Sequence, residues 1–244
     1  MDSAIRHVRL AEVEWEPLGT HGLKRKLLAY DPATKASTAL VDIPYGWRGG
    51  GIAHFHHAFE EVYMLSGSVT VGGKHYWQAG DYFYRPAEVV HGHDEHSPEG
   101  ARALIRADGP LELLLVHDPA EPDEYPLGGI TDPRGHIYEV KPAELTGAAD
   151  AEFPADWRVK PLSADGVTGA RTIMVEIPAG WAGEDARVRP ASWQAAILAG
   201  DLLAGERRFQ EGDYADGPAG VEVFGATASP SGCTLLLWLG AKAQ

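Results

Sequence analysis

One pattern is written twice along this chain, and that repeat limits the possible folds more than any other feature. Leu40-Val-Asp-Ile-Pro-Tyr-Gly-Trp47 returns as Met174-Val-Glu-Ile-Pro-Ala-Gly-Trp181. Leu65-Ser-Gly67-Ser-Val returns as Leu198-Ala-Gly200-Asp-Leu, and Gly80-Asp-Tyr82 with Pro86 returns as Gly212-Asp-Tyr214 with Pro218. Two more matches flank these. Pro17-Leu18 before Gly22, preceded by Trp15, is echoed by Pro161-Leu162 before Gly166, preceded by Trp157. Each half ends on a leucine-rich run, Leu111 to Val116 and Thr234 to Leu239. Five matches in one order point to a duplicated unit, and 244 residues suit two domains of about 120 each. The stretch 118–136, rich in Pro, Gly and acids, reads as a linker between domains at 1–125 and 137–244.

Within each half the apolar segments are short, rich in Val, Ile, Tyr, Trp and Leu, and bounded by Gly, Pro and Asp. That spacing predicts an all-β sandwich or barrel, so two antiparallel barrels in tandem are expected. Helical periodicity is weak, the one short candidate being Pro142 to Ala149. With 44% hydrophobic residues the chain can bury a core. A formal charge of −14 repels phosphate backbones and anionic membranes, so neither nucleic acid nor a membrane is an expected partner. Cys233 is the only cysteine, which excludes an intrachain disulfide and a Cys-based zinc cluster. The first residues show no basic-then-apolar leader and no stretch approaches the roughly 20 apolar residues of a span, so a cytoplasmic chain is expected.

Chemistry concentrates in Gly49-Gly-Gly-Ile-Ala-His54-Phe-His56-His57-Ala-Phe-Glu60-Glu61-Val-Tyr-Met-Leu-Ser-Gly67. Side chains alternate on a strand, so His54 and His56 share a face about 7 Å apart, within reach of one ion. Glu60 follows a reversal and can approach from the next strand. His91, at the end of Gly80-Asp-Tyr-Phe-Tyr-Arg-Pro86-Ala-Glu-Val-Val-His91, is a fourth candidate. Glu61 competes with Glu60, because the apolar run Val62 to Leu65 gives no alternation to decide between them.

These two segments resemble the paired signatures of the cupin superfamily. His54, His56, Glu60 and Gly67 satisfy the first, and Gly80, Pro86 and His91 satisfy the second. Glu88 stands where the second signature has an inner glycine, and the glycines at 49–51 are offset from the first signature's leading glycine. The resemblance implies two tandem cupin (jelly-roll) barrels. It also implies one divalent metal ion on His54, His56, Glu60 and His91, and the six-residue interval to Gly67 favours Glu60 over Glu61.

His57 should face away from its neighbours, His96 should be solvated among Asp94, Glu95 and Ser97, and His93 may be read either as a loop residue or as a catalytic candidate beside His91. Arg85 and Arg48 are candidate anchors for an anion, and Tyr63, Phe83 and Tyr84 candidate pocket walls. Carried through the repeat, the ligand positions fall on Val188, Pro190, Gln194 and Val223, so the second half should bind no metal there. It should serve instead as packing partner, lid or homodimer surface, with Trp181 and Trp193 read as core residues or as the lining of an apolar pocket.

Three imidazoles and a carboxylate without thiolate suit Fe(II), Mn(II), Zn(II), Ni(II) or Cu(II), of which the resemblance makes iron the leading expectation. Four ligands on an octahedral ion leave two positions for a chelating small molecule, or for substrate and O₂. By resemblance, the leading expectation is an Fe(II) dioxygenase acting on a small enolisable or phenolic compound. A non-redox isomerase or lyase using Mn or Zn is the alternative, and a non-catalytic metal- or ligand-binding sensor module the third reading.

Overall fold

The computed structural model describes residues 5–19, 21–183 and 189–241. Its regular elements are strands, apart from 3-10 turns at Leu10–Glu12 and Pro142–Glu144. The expected helix at 142–149 shrinks to the second of these turns. Leu145 N–H closes it on the Pro142 carbonyl at 3.2 Å, and three residues later Ala148 is drawn into two backbone bonds with Val159. Among the described residues no helix is long and apolar enough to cross a membrane.

The chain divides into two compact units, Val13–Lys141, and Met1–Glu12 together with Pro142–Gln244. These bounds correct the sequence expectation. The stretch read as a linker belongs to the first unit, because Ile137–Val140 pairs with Tyr82–Arg85 at the edge of its sheet. The N-terminal residues belong to the second unit, because Arg6–Arg9 pairs antiparallel with Asp213–Gly217.

In the first unit the main sheet runs Ile137–Val140, Tyr82–Arg85, Glu60–Val69, Ala101–Ala107, Ser37–Ile43, Leu23–Tyr30, Glu16–Leu18, with neighbours antiparallel. Alternation along these strands sends Val41, Val62, Met64 and Ala103 into one buried cluster with Trp77 and Phe83. Three two-stranded ribbons complete the unit: Ala53–Phe55 with Leu114–Val116, Val89–Val90 with Tyr125–Pro126, and Trp47–Arg48 with His96–Ser97. No hydrogen-bonded closure of these sheets into a barrel is found among the described residues.

The second unit repeats the order: Arg6–Arg9, Asp213–Gly217, Trp193–Ala204, Cys233–Leu239, Arg171–Ile177, Arg158–Ala164. Local details recur with it. Gly67 and Gly200 both have positive φ (68° and 76°), and a Cβ on either would lie 1.9 Å from a carbonyl oxygen, of Gly100 and of Gly232. Only glycine tolerates that approach. Asp81 accepts from the Gln78 N–H at 2.7 Å, as Asp213 does from Gln210 at 3.0 Å. Ser97 donates to the Ser68 carbonyl at 2.5 Å, as Ser229 does to that of Asp201 at 2.6 Å.

The register also corrects two of the five sequence matches. Pro161 lies opposite Ile173, the place Leu27 holds opposite Ala39, whereas Pro17 sits in an outer hairpin opposite Lys24. Cys233–Leu239 corresponds to Ala101–Ala107, since both lie between the same two strands, while Leu114–Val116 pairs with the histidine-bearing ribbon.

Candidate metal centre

His54 lies in the Ala53–Phe55 strand, His56 just beyond it, and His91 just after Val89–Val90. Reciprocal backbone bonds of 2.8 Å between His54 and His91, and one from Glu88 N–H to the His56 carbonyl, zip the two segments together. Their three imidazoles are buried, with ring centroids 4.4 to 5.2 Å apart and one ligand atom from each within 4.8 Å of the others.

Each Nδ1 faces a main-chain carbonyl: His56 that of Glu112 at 2.9 Å, His91 that of Val89 at 2.9 Å, and His54 that of Ile52 at 3.4 Å. A carbonyl only accepts, so Nδ1 carries the proton and the Nε2 lone pair is left for an ion. Burial, then the neighbouring Arg85 charge, holds the His91 imidazole well below its ordinary pKa. His54 is lowered by burial and by His56. Neutral imidazole is the form that binds metal, so these residues fit a divalent cation.

Glu60 and Glu61 point to opposite sides of their strand. Glu61 is buried and accepts from Tyr82 Oη at 2.7 Å and Arg106 Nη1 at 3.2 Å, with Arg134 Nη1 3.7 Å away. Glu60 faces the cavity that holds the histidines. It stands outside the group of three, and its Oε2 accepts from Arg85 Nη1. Arg85 is only 2% exposed in its side chain and also grips Glu124 through Nε (3.2 Å) and Nη2 (2.6 Å). Burial alone would lower the Arg85 pKa, but Glu124 and Glu60 hold it above its ordinary value. Held by two carboxylates, Arg85 is not a free anchor for an anion.

The other candidates separate. His57 is exposed and pairs with Glu88 at 3.3 Å. His93 does not line the cavity; its Nε2 meets the Glu121 carbonyl at 2.9 Å. His96 is partly buried, and its Nε2 meets the Tyr76 hydroxyl at 2.6 Å. Arg48 is exposed, with Asp94 3.9 Å away. Of the three aromatics only Phe83 lines the cavity, and Tyr84 donates to Asp132 at 2.6 Å.

The cavity has a volume of about 1210 Å³ and a largely apolar wall that includes Leu27, Val41, Met64, Ile105, Leu113 and Leu115. Sequence reading missed Glu95, which lines it and lies 3.9 Å from His54 Nε2. Burial, reinforced by the Glu60 charge, pushes the Glu95 carboxyl up to about 7. The signal that could have revealed it is the glycine run: a Cβ on Gly49 would lie 2.6 Å from Glu95 Oε2.

Among its described residues the second unit lacks this constellation. Trp193 occupies the register of Glu60, and Gly217 that of Arg85. A Cβ on Gly217 would meet the Trp193 ring at 2.7 Å, so glycine makes room for the indole. The Gly220 N–H bonds the Arg189 carbonyl as Glu88 bonds His56, which puts Arg189 rather than Pro190 at the second histidine and Trp193 rather than Gln194 at the glutamate. Val188 lies outside the described residues. Trp181, Trp193, Val223, Phe209 and Phe224 pack into one core there, so apolar side chains fill the interior.

Residues 4–112 match the family model described as the ChrR cupin-like domain. Among solved structures the chain is similar to a "putative dioxygenase" from Nostoc punctiforme, at 17% identity and a TM-score of 0.82, covering 98% of this chain and 83% of that one. It is similar to a "putative glyoxylate induced protein" from Pseudomonas aeruginosa, at 13% and 0.70, covering 98% and 90%. It is also similar to the oxalate decarboxylase of Bacillus subtilis, a protein with Mn(II) centres, at 14% and 0.62, covering 98% and 78%. Among curated protein sequences none matches. At such identities the likeness shows the fold. The chain thus has a cupin fold and carries a cupin-like domain.

Proposed function

We propose that the chain is a metal-dependent cupin enzyme, an Fe(II) dioxygenase acting on a small enolisable or phenolic compound. The observation that carries this reading is the convergence of three buried imidazoles, each proton-donating to the backbone, in a large apolar cavity. The ligand set is His54, His56 and His91, with Glu60 as the adjoining carboxylate that the signature assigns. A divalent ion there would supply Lewis acidity and, as Fe(II), one-electron chemistry with dioxygen.

The chain's own residues do the rest. The Ile52, Glu112 and Val89 carbonyls orient the imidazoles, and the apolar wall offers a surface to the ring or chain of an enol or phenol held beside them. Arg85 is held by Glu60 and Glu124 and so offers no free guanidinium to a small anionic substrate. The two units are read as two tandem jelly-roll barrels of a bicupin, the second without metal, in a cytoplasmic homodimer.

Elemental analysis, then oxygen uptake by anaerobically Fe(II)-loaded protein with a panel of 1,3-diketones and phenols, tests this. Iron-dependent uptake supports the dioxygenase. Stable zinc or manganese binding with no uptake overturns it in favour of the isomerase or lyase reading, or of a sensor module where no compound is turned over.

A further inference from the structure

Glu95 is a carboxylate without a counter-charge, placed beside the imidazole cluster. Its side chain is 18% exposed and lines the same cavity. Among the described residues it has no hydrogen-bond donor, and its near polar neighbour is His54 Nε2, 3.9 Å from Oε1. The neighbouring cation is Arg85, which is committed to Glu60 and Glu124.

The backbone has been cleared for this side chain. A Cβ on Gly49 would meet Glu95 Oε2 at 2.6 Å and its Cβ at 2.8 Å, and one on Gly92 would lie 3.3 Å from Oε1. Gly49 is tied to the same place, its N–H donating to the Glu95 carbonyl at 2.8 Å. Burying an unpaired carboxylate is unfavourable, and a cation on the three imidazoles would supply the missing partner. Two donors on one first-row ion stand about 3 to 4 Å apart, from bond lengths of about 2.1 Å. The observed 3.9 Å is in that range.

We infer that Glu95 is a second carboxylate of the metal centre, reaching the ion beside His54. The inference rests on the metal reading above and adds a residue that the cupin signatures do not contain. Glu60 keeps one oxygen on Arg85, whereas Glu95 lines the cavity with no side-chain hydrogen bond among the described residues.

The test is titration of the metal-free protein with Co(II), followed by visible absorption, in the wild type, Glu95→Gln, Glu95→Asp, Glu60→Gln and His91→Ala. Glu95→Gln is expected to weaken Co(II) at least tenfold and to alter its spectrum, with Glu95→Asp recovering part of both. Thermal unfolding separates this from a structural role: metal-free Glu95→Gln should melt no lower than wild type, while its Co(II)-induced rise in Tm shrinks. Wild-type affinity and spectrum in Glu95→Gln overturn the inference, and a response to Glu60→Gln alone returns the carboxylate role to Glu60. Failure of the wild type to take up Co(II), or uptake undiminished in His91→Ala, overturns the metal reading itself.

Discussion

Replacing Glu124 with glutamine should remove an acid-sensitive part of the first unit's stability. Glu124 has 6% of its side chain exposed and lies against Arg85 and His136, the latter 3.1 Å away. Burial alone would raise its pKa, but the Arg85 charge and the His136 hydrogen bond outweigh it and pull the carboxyl down from 4.5 to about 2. The unfolded chain therefore binds the proton more readily, so the stabilisation is full above about 4.5 and is lost as pH falls through about 2. At 1.36 kcal/mol per pKa unit it contributes about 3 kcal/mol at neutral pH. Chemical denaturation from pH 7 to pH 3, with a probe in the first unit, would measure it. Glu124→Gln should lose about 3 kcal/mol at pH 7, and its gap to wild type should narrow steadily below pH 4.5. A gap constant with pH, or no gap at pH 7, would refute the electrostatic account of this cluster.

Three further outcomes are expected. Glu88 holds φ at 63°, where Gly220 stands in the second unit with φ of 90°. Glu88→Gly should therefore gain about 0.5–1 kcal/mol, the relief of left-handed strain exceeding the entropy cost, read as a Tm rise of roughly 2 °C. Gly92→Ala would put a Cβ 2.5 Å from the His54 ring. It should lower metal occupancy in elemental analysis while far-UV circular dichroism stays unchanged. His91→Ala removes one of three converging imidazoles and should cut metal affinity by at least about 100-fold in a chelator competition, beyond what an outer-shell change costs; full occupancy would break the three-histidine assignment.

The histidines were legible because strand alternation and local spacing place them. What surrounds them was not, because it is set by pairing between distant strands. Alternation could not separate Glu60 from Glu61. The decision came from Arg85 on one side, and from Tyr82, Arg106 and Arg134 on the other. The stretch 118–136 has the composition of a linker, yet it delivers Glu124, Asp132 and Arg134 to buried partners. Composition reports local chain preference, whereas those contacts depend on partners at least 39 residues away. Glu95 was not singled out, because the space that Gly49 opens for it comes from a segment 46 residues away in sequence. Carried through the repeat, the second histidine and the glutamate were placed one residue too far, at Pro190 and Gln194, whereas Val223 keeps the place of His91, since the two units differ in loop length between their matched strands.

The edge strands carry a consequence for how the chain is assembled. Arg6–Arg9 completes the sheet whose other strands begin at Arg158, and Arg6 reaches Asp216 across 210 positions of sequence. The segment at 6–9 thus waits for a partner some 210 residues further along the chain, and a closure that long is slow to find. Cutting the chain anywhere in the middle would leave one fragment with an orphan strand and the other with an open sheet edge, exposed to pairing with neighbouring molecules. A fragment ending at Lys141 should be well behaved only if it starts at Val13, and the remainder should recover its solubility when a peptide spanning residues 1–12 is added back in trans.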